Sequence, residues 1–196
     1  MIYATNNAKK IKELTTWSPV PLISYQDYLK QPIKIEETGQ TYEENARLKA
    51  LEIARHLNQP VLGDDGGLEL EDFPHLLGIN TSRFFESNMN DQEMNEQILE
   101  LFNSQYSYSR KATLVACLVY ALPDGRTITA ESRLPFIVAN KQCGKNGYGF
   151  DSILIVPELG VTVAELSVEE RMRYSARQQA FRQLLNQLKG QMNDHH

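Results

Sequence analysis

Two pairs of adjacent carboxylates are the groups in this sequence that are best suited to chemistry. Glu36 and Glu37 precede a predicted helix, and Asp64 and Asp65 follow a predicted buried strand. Magnesium binds oxygen ligands and usually takes only one or two carboxylates from a protein, leaving its other positions to water and phosphates. One carboxylate from each pair would therefore suffice for a magnesium site. Either pair alone also fits a structural role, as an ordinary turn or as charges in the first turn of a helix.

A polar segment, residues 5–10, connects a short predicted strand to a predicted helix. Free backbone N–H groups and the helix dipole at such a point favour an anion, and the two lysines of the segment could complete a phosphate-binding loop. Lys49 lies four residues after Asn45 on another predicted helix, so the two side chains share a face. The structural alternatives are a solvated, capped turn for the segment and a surface lysine for Lys49.

A glycine-rich segment, residues 147–151, combines two aromatic rings with a carboxylate. An aromatic ring can stack on a nucleobase, and Asp151 could accept a hydrogen bond from a base N–H or a sugar hydroxyl. Arg171, Ser175 and Arg177 follow in a predicted terminal helix, close enough along its axis to point toward one site. The alternatives are aromatic rings packed into the core and a charged helix face exposed to solvent.

The elements that would position these groups begin with a short strand at residues 2–4, followed by a helix. Residues 41–57 are predicted to form a second helix, because their apolar side chains fall on one face and a capping box precedes them. Residues 60–63 are predicted as a buried strand that ends at residues 64–67, where the glycines permit a sharp turn.

Further along the chain, a helix is predicted over residues 90–102 and a β-hairpin over residues 112–138. A short strand follows at residues 153–156. A capping box at Ser167 opens a long terminal helix that runs to about Lys189. Helices and strands that alternate and then give way to a hairpin predict an α/β fold with a mixed sheet and helices packed on it.

The composition limits the classes of function. The chain has 196 residues, of which 41% are hydrophobic, and a single domain over residues 1–196 is expected. The net charge is -5 and no basic stripe is present, so a nucleic-acid partner is not expected. No signal peptide, membrane span or CxxC pair is recognisable, which predicts a cytoplasmic protein without a membrane partner.

The order of these motifs resembles that of the inosine triphosphate pyrophosphatase family, house-cleaning hydrolases of non-canonical purine nucleoside triphosphates. The resemblance covers nearly the whole chain, from Ile2 to about Leu188. The segments that carry it are residues 5–10, 36–39, 44–46, 48–50, 64–68, 78–79, 82–84, 147–151, 164–166 and 175–177.

Membership of this family would imply a long mixed β-sheet with flanking helices, forming two lobes around a central cleft, and a homodimer. The implied reaction cleaves a nucleoside triphosphate between its α and β phosphates, giving a nucleoside monophosphate and pyrophosphate, and it needs magnesium (Mg2+). The expected small-molecule partner is the nucleoside triphosphate itself.

The resemblance also assigns roles to individual residues. Asp65 would bind the metal ion and act as the base that orients and activates water, and Glu37 would also bind the metal ion. Lys49 would act in catalysis by neutralising the polyphosphate. The residues implied in substrate binding are Thr5, Asn7 and Lys10 at the phosphates, Gly66 beside Asp65, and Tyr148, Phe150, Asp151, Arg171 and Arg177 on the nucleoside side.

This sequence departs from the family pattern mainly on the base-binding side. Ala176 replaces the histidine of a Ser-His-Arg motif, Arg171 replaces a lysine, and Ser152 replaces a proline. Gly66 stands where a serine is usual, and Asn6 where a glycine is usual. Removing one base-reading group can change discrimination by orders of magnitude while sparing the chemistry.

Three functions are compatible with these residues. The first is release of pyrophosphate from inosine-type or xanthosine-type triphosphates, including deoxy forms. The second is the same cleavage of another altered nucleotide, such as a modified pyrimidine. Ala176 leaves room beside the base and lacks the imidazole that would contact it. The third is a catalytically silent nucleotide-binding sensor, and the joint retention of Glu37, Lys49 and Asp65 argues against it.

Overall fold

A computed structural model of the chain describes residues 1–16, 18–29, 33, 35–103 and 107–193. The chain divides into two compact units, each assembled from segments that are distant in the sequence. The first unit contains Met1–Gly66, Ala116–Ser132 and Arg177–His196, and the second contains Gly67–Val115 and Arg133–Ala176.

The described residues form seven strands and six α-helices. The strands are β1 (Ile2–Tyr3), β2 (Ile23–Ser24), β3 (Val61–Leu70), β4 (Lys111–Ala121), β5 (Thr127–Val138), β6 (Leu154–Val156) and β7 (Val161–Thr162). The helices are α1 (Ala8–Thr15), α2 (Tyr42–Leu57), α3 (Thr81–Phe84), α4 (Asp91–Leu101), α5 (Val168–Arg171) and α6 (Ala176–Asn193).

The strands belong to one sheet in the order β2-β1-β3-β4-β5-β6-β7. β1 pairs in parallel with β2 and β3, whereas β6 pairs in antiparallel fashion with β5 and β7. The predicted α/β architecture, a mixed sheet with flanking helices, is therefore confirmed. The predicted hairpin corresponds to β4 and β5, which are neighbours joined by a tight turn where Gly125 has a φ of 97°.

The bounds of α2 follow from its local sequence, as predicted. The Thr41 hydroxyl accepts a hydrogen bond from the N–H of Glu44, and the Glu44 carboxylate accepts one from the N–H of Thr41. This capping box satisfies N–H groups that would lack partners at the start of the helix. Asn58 ends the helix in the left-handed conformation, with a φ of 50°. In the apolar stripe, Ala46, Ala50, Ile53 and Ala54 are fully buried and Leu57 is partly buried, and this packing fixes the rotation of the helix.

The predicted end of a strand at residues 64–67 is wrong. β3 continues through these residues without interruption to Leu70. Asp64 and Asp65 therefore lie in the middle of a long strand, where the backbone is hydrogen-bonded and the direction of each side chain is fixed by the pleat.

Gly67, which suggested a turn, and Gly63, at the end of the predicted strand, both have a packing role instead. A Cβ atom added to Gly63 would overlap the backbone carbonyl oxygen of Ala46, and one added to Gly67 would overlap that of Gly78. Both glycines are required because other backbone segments approach the strand closely, and neither has the positive φ of a turn.

The prediction of one continuous terminal helix is also wrong. Ser167 does form a capping box with Glu170, but it opens only the four-residue helix α5. A 3-10 turn follows, and Ser175 has an extended backbone with a φ of -93° and a ψ of 111° before α6 begins. Arg171 and Arg177 therefore lie in different helices and different units, so they do not share one helix face.

Each unit has its own apolar core. The first core consists of Tyr3, Leu14, Leu22, Leu62, Leu118, Ala130, Ala180, Phe181 and Leu184. The second includes Leu68, Leu70, Leu77, Phe85, Ile98, Phe102, Phe136, Val138, Ile153, Leu154 and Val156. Among the residues that the structure describes, no helix is long and apolar enough to cross a membrane.

Replacing Gly63 by alanine is expected to destabilise the protein by about 3 kcal/mol, because the new Cβ would overlap the Ala46 carbonyl oxygen. The matched control is Gly190→Ala in α6, where a Cβ atom meets nothing within 4 Å. Its better helix propensity should leave stability unchanged or raise it by up to about 1 kcal/mol. Urea unfolding measures both variants, and equal stability of the two would contradict the close approach of α2 to β3.

Candidate functional site

The first unit contains a buried carboxylate that is held by two cations. Asp64 in β3 is only 1% exposed. Lys10 of α1 donates a hydrogen bond to its Oδ1 atom at 2.9 Å, and Arg177 of α6 donates one to its Oδ2 atom at 2.7 Å. Each carboxylate oxygen therefore faces one cation, and the two cations come from different helices.

These cations decide the ionisation of Asp64. Burial alone would raise the pKa of this carboxyl, but the charges of Lys10, Arg177 and Lys49 outweigh burial and hold the pKa well below its usual value. Burial lowers the pKa of Lys10, and the attraction of Asp64 opposes that shift. Asp64 is therefore ionised at physiological pH and serves as a fixed anchor for the two cations.

Glu13 extends this network, and sequence reasoning missed both Glu13 and the central position of Asp64. The Glu13 carboxylate accepts a hydrogen bond from Arg177, and its backbone carbonyl accepts one from the Gln178 side chain. Lys10 and Glu13 are three residues apart on α1, which is the spacing that brings side chains together on one helix face. That spacing is the signal in the sequence that could have indicated Glu13.

A second cluster surrounds Lys49 of α2. Its Nζ atom donates a hydrogen bond to Glu37 Oε1 at 2.8 Å and lies 3.4 Å from Asp65 Oδ1. Asn45, one turn earlier in α2, donates to Asp65 Oδ2 at 3.2 Å and accepts a hydrogen bond from the N–H of Gly39 at 2.8 Å. One carboxylate from each acidic pair is thus found beside the same lysine.

The charges of this cluster shift the protonation of both partners. Burial and the nearby Glu37 raise the pKa of the Asp65 carboxyl, although Lys49 acts in the opposite direction. Burial acts to lower the pKa of Lys49, but the surrounding carboxylates outweigh it and raise that pKa. The cluster therefore combines an ammonium group that holds its proton more tightly than usual with a carboxylate that accepts a proton more readily than usual.

The carboxylates of Glu37 and Asp65 suit an open magnesium site. Magnesium usually takes one or two protein carboxylates and completes its shell with water and phosphate oxygens. Within the described ranges, no group of three or more His, Cys, Asp or Glu side chains is arranged to hold a metal ion. The carboxylates of Glu37 and Asp65 therefore suit a metal ion that is also bound to a substrate phosphate better than an ion that is surrounded by protein ligands.

The polar segment at residues 5–10 contains the N-terminal cap of α1. The Asn7 Oδ1 atom accepts hydrogen bonds from two N–H groups in the first turn, and the Thr5 hydroxyl accepts one from the N–H of Asn7 at 3.2 Å. The capped-turn alternative is therefore realised for Asn7, while Lys10 from the same segment joins the buried network. The predicted site residues in the first unit are Thr5, Asn7, Lys10, Glu37, Lys49, Asp65, Gly66 and Arg177.

In the second unit, the glycine-rich segment brings Asp151 and Arg171 together. An Arg171 terminal nitrogen lies 3.5 Å from Asp151 Oδ2, which also accepts a hydrogen bond from the N–H of Tyr148 at 3.1 Å. Gly147 has a φ of 83°, and a Cβ atom there would overlap both side chains of the pair. The Nε atom of Arg171 is buried and has no hydrogen-bond partner in the described part of the chain.

The aromatic rings of this segment combine packing with exposure. Phe150 packs against Phe85, with ring centroids 6.0 Å apart, at the edge of the second core. Phe150 and Tyr148 are both only partly buried. The core-packing alternative thus holds for part of Phe150, and the rest of its surface is accessible.

The first unit brings together cations and a fixed carboxylate, the kinds of group that suit phosphoanhydride hydrolysis. Cations neutralise charge on phosphate oxygens, and a fixed carboxylate can orient a water molecule and take its proton. In phosphoryl chemistry, positioning and charge neutralisation contribute more than covalent catalysis.

Known proteins resemble this chain over nearly its whole length. A sequence model described as the Ham1 family matches residues 1–187. A dITP/XTP pyrophosphatase of an Exiguobacterium species is 37% identical over 187 residues, 94% of each chain. A dITP/XTP pyrophosphatase of Thermus thermophilus is 35% identical over 96% of this chain and 91% of its own. The structure of the Staphylococcus aureus Ham1 protein has a TM-score of 0.84 and 32% identity, and the match covers 97% of this chain and 98% of that one.

Asp64→Asn is expected to destabilise the protein at pH 7 by about 3–5 kcal/mol, because it removes the carboxylate that pairs with both Lys10 and Arg177 and leaves Arg177 with Glu13 alone. Since the folded-state pKa of Asp64 is depressed, this stabilisation is present above about pH 4 and is lost as the pH falls toward the depressed pKa. Urea unfolding of the wild type and the variant across this pH range measures the loss.

Asp65→Asn is the matched control in the same strand. Because the folded-state pKa of Asp65 is raised, its ionised form opposes folding above its unfolded pKa of about 4, and removing that charge should not destabilise the protein. Equal losses in the two variants would contradict the different electrostatic settings of the two carboxylates.

Proposed function

Because the chain belongs to the Ham1 family, and relatives that it matches are dITP/XTP pyrophosphatases, we propose that it hydrolyses non-canonical purine nucleoside triphosphates. The products are a nucleoside monophosphate and pyrophosphate, and the substrates are of the inosine and xanthosine type, ribo or deoxy. The observation that carries the proposal is the position of Lys49 between the carboxylates of Glu37 and Asp65.

Asp65 is the proposed base of the reaction. Both of its oxygens are held, Oδ1 beside Lys49 and Oδ2 by the amide of Asn45. Burial raises the pKa of Asp65, so this carboxylate takes a proton from an attacking water more readily than an exposed one. Asn45 acts as a positioning residue, since it fixes the direction of the carboxylate.

Glu37 and Asp65 are the proposed ligands of magnesium. When bound, the ion would lower the pKa of its water and neutralise phosphate charge. Lys49 stays protonated in this cluster, so the approach of a polyphosphate gives it new anionic partners in place of the carboxylates.

Lys10 and Arg177 are proposed to contact the substrate from the buried ion-pair network. Both cations are held by Asp64, so they need little reorganisation when an anion or a keto oxygen arrives. Arg177 is also held by Glu13, which fixes the N–H groups that the family resemblance assigns to the base. Thr5 and Asn7 support phosphate binding by shaping the start of α1. Gly66 follows Asp65, the proposed catalytic base, in β3.

Asp151, Arg171 and the rings of Tyr148 and Phe150 are proposed to bind the nucleoside. The buried Nε atom of Arg171 has no partner among the described residues. The terminal nitrogen of Arg171 lies beside Asp151, and a guanidinium N–H can donate to a keto oxygen or ring nitrogen of a purine. Asp151 could accept from a ring N–H or a ribose hydroxyl.

We further propose that residues 1–196 act as one catalytic domain and that the protein works in the cytoplasm as a homodimer without a nucleic-acid partner. The net charge of -5 opposes binding to a polyanion that is much larger than a nucleotide. Light scattering at micromolar concentration tests the dimer, and a monomeric mass would contradict it.

Incubation with magnesium and a panel of triphosphates should release pyrophosphate and monophosphate from inosine or xanthosine triphosphate. Asp65→Asn should lower kcat by roughly 100-fold or more, because the base is lost. Glu69→Gln is the matched control in the same strand, since Glu69 lies four residues after Asp65 and is paired with Arg133. Chelation should abolish activity in the wild type and the control.

Three outcomes of this panel would contradict the proposal. Release of single phosphates would exclude cleavage between the α and β phosphates. Hydrolysis of modified pyrimidine triphosphates alone would transfer the function to those substrates. Nucleotide binding without hydrolysis would establish the silent sensor.

Replacing Arg171 by methionine should raise KM about 10-fold and change kcat less than about threefold, because it removes contacts made equally in the ground state and the transition state. Arg173→Met, two residues along the chain at an exposed position, is the control and should leave KM unchanged. Steady-state kinetics with the best triphosphate of the panel provide the test. A fall in kcat at constant KM would contradict a role in nucleoside binding.

A further inference from the structure

Helix α4 holds one residue of the glycine-rich segment by both of its backbone groups. The Asp91 Oδ2 atom accepts a hydrogen bond from the N–H of Gly149 at 2.8 Å, and the Asn95 amide donates one to the Gly149 carbonyl at 2.9 Å. Asp91 and Asn95 are four residues apart and so share a face of α4. Gly149 has a φ of 61°, and these two side chains fix its orientation.

Ser152 connects the same helix to the end of the segment. The Asn95 amide also donates to the Ser152 hydroxyl oxygen at 2.9 Å, and this hydroxyl donates to Gln142 Oε1 at 3.0 Å. Gln142 in turn donates to the backbone carbonyl of Gln92 in α4 at 3.2 Å. These contacts close a ring of hydrogen bonds that joins α4, Gln142 and residues 147–152.

The burial of Asn95 indicates that the ring has a purpose beyond packing. Asn95 is 1% exposed, and its Oδ1 atom has no hydrogen-bond partner in the described residues. The amide must point its nitrogen at Gly149, because a backbone carbonyl only accepts. A buried acceptor without a partner lowers stability. An apolar residue would avoid that loss but could not hold Gly149.

We propose that Asn95 and Ser152 are positioning residues for nucleoside recognition, and this inference rests on the proposed function. They hold residues 147–152 so that Asp151 presents its carboxylate to the substrate in one orientation. Where the family pattern has a proline that restricts the backbone covalently, Ser152 supplies the restraint through its hydroxyl. The N–H of Ser152 donates to no acceptor in the described residues, so a proline there would lose no backbone hydrogen bond.

The test compares two substitutions at one position. Ser152→Ala removes the hydroxyl and should raise KM about three- to tenfold with kcat within about twofold of the wild type. Ser152→Pro should bring KM back to within about twofold of the wild type, because the pyrrolidine ring of proline restrains the backbone in place of the hydroxyl. Glu96→Ala, an exposed change next to Asn95, is the control and should leave KM unaltered.

Amide hydrogen exchange separates this inference from the proposed function. Exchange of the Gly149 N–H should be at least about threefold faster in Ser152→Ala than in the wild type, whether or not any triphosphate is hydrolysed. If the wild type hydrolyses none, the proposed function fails, and faster exchange still supports the positioning role. Unchanged KM in an active enzyme, or unchanged Gly149 exchange, would overturn the inference. Thermal unfolding should show that Ser152→Ala remains folded at the assay temperature.

Discussion

The first unit depends on a buried carboxylate that is held between two cations. An isolated charge at the position of Asp64 would cost several kcal/mol, even after the protein relaxed around it. Lys10 and Arg177 offset that cost, and they come from helices at opposite ends of the sequence. α1, β3 and α6 must therefore approach one another for the charge to be tolerated. The same approach fixes two cations in the neighbourhood of Lys49 and Asp65 before any substrate is present.

Strand geometry explains why two adjacent aspartates behave differently. Successive side chains of a strand point to opposite faces of the sheet. Asp64 contacts α1 and α6, whereas Asp65 contacts Asn45 and Lys49 of α2. One carboxyl therefore has a depressed pKa and the other a raised pKa, although they share a peptide bond. The first stabilises the fold as an anion, and the second is suited to proton transfer.

The sequence predicted the features that depend on neighbouring residues. The capping box and apolar stripe of α2 determine its start and its buried face, and both act within a few turns. The catalytic role of Asp65 came from the family resemblance, not from local physics, and remains a proposal. The local sequence predicted only that one carboxylate from each acidic pair would suffice to bind a magnesium ion. In the structure, Glu37 and Asp65 both lie beside Lys49.

The features that sequence reasoning missed depend on distant residues. Gly67 was predicted to be part of a turn, but the close approach of the Gly78 backbone is what requires it. The pairing of Glu13 with Arg177 joins residues separated by 164 positions, which no local pattern reports. The break at Ser175 was missed because capping signals mark where a helix starts but do not show how far it runs.

The division of the chain into interleaved units has a consequence for synthesis on the ribosome. The first core includes Ala180, Phe181 and Leu184 of α6, which are made after the second unit, together with Tyr3 and Leu14, which are made before it. The second unit is complete in sequence once residue 176 has been translated. The apolar residues of β1 and α1 must therefore wait for α6 to be translated before their core is complete, and a truncated product that lacks α6 would expose them to chaperones and proteases.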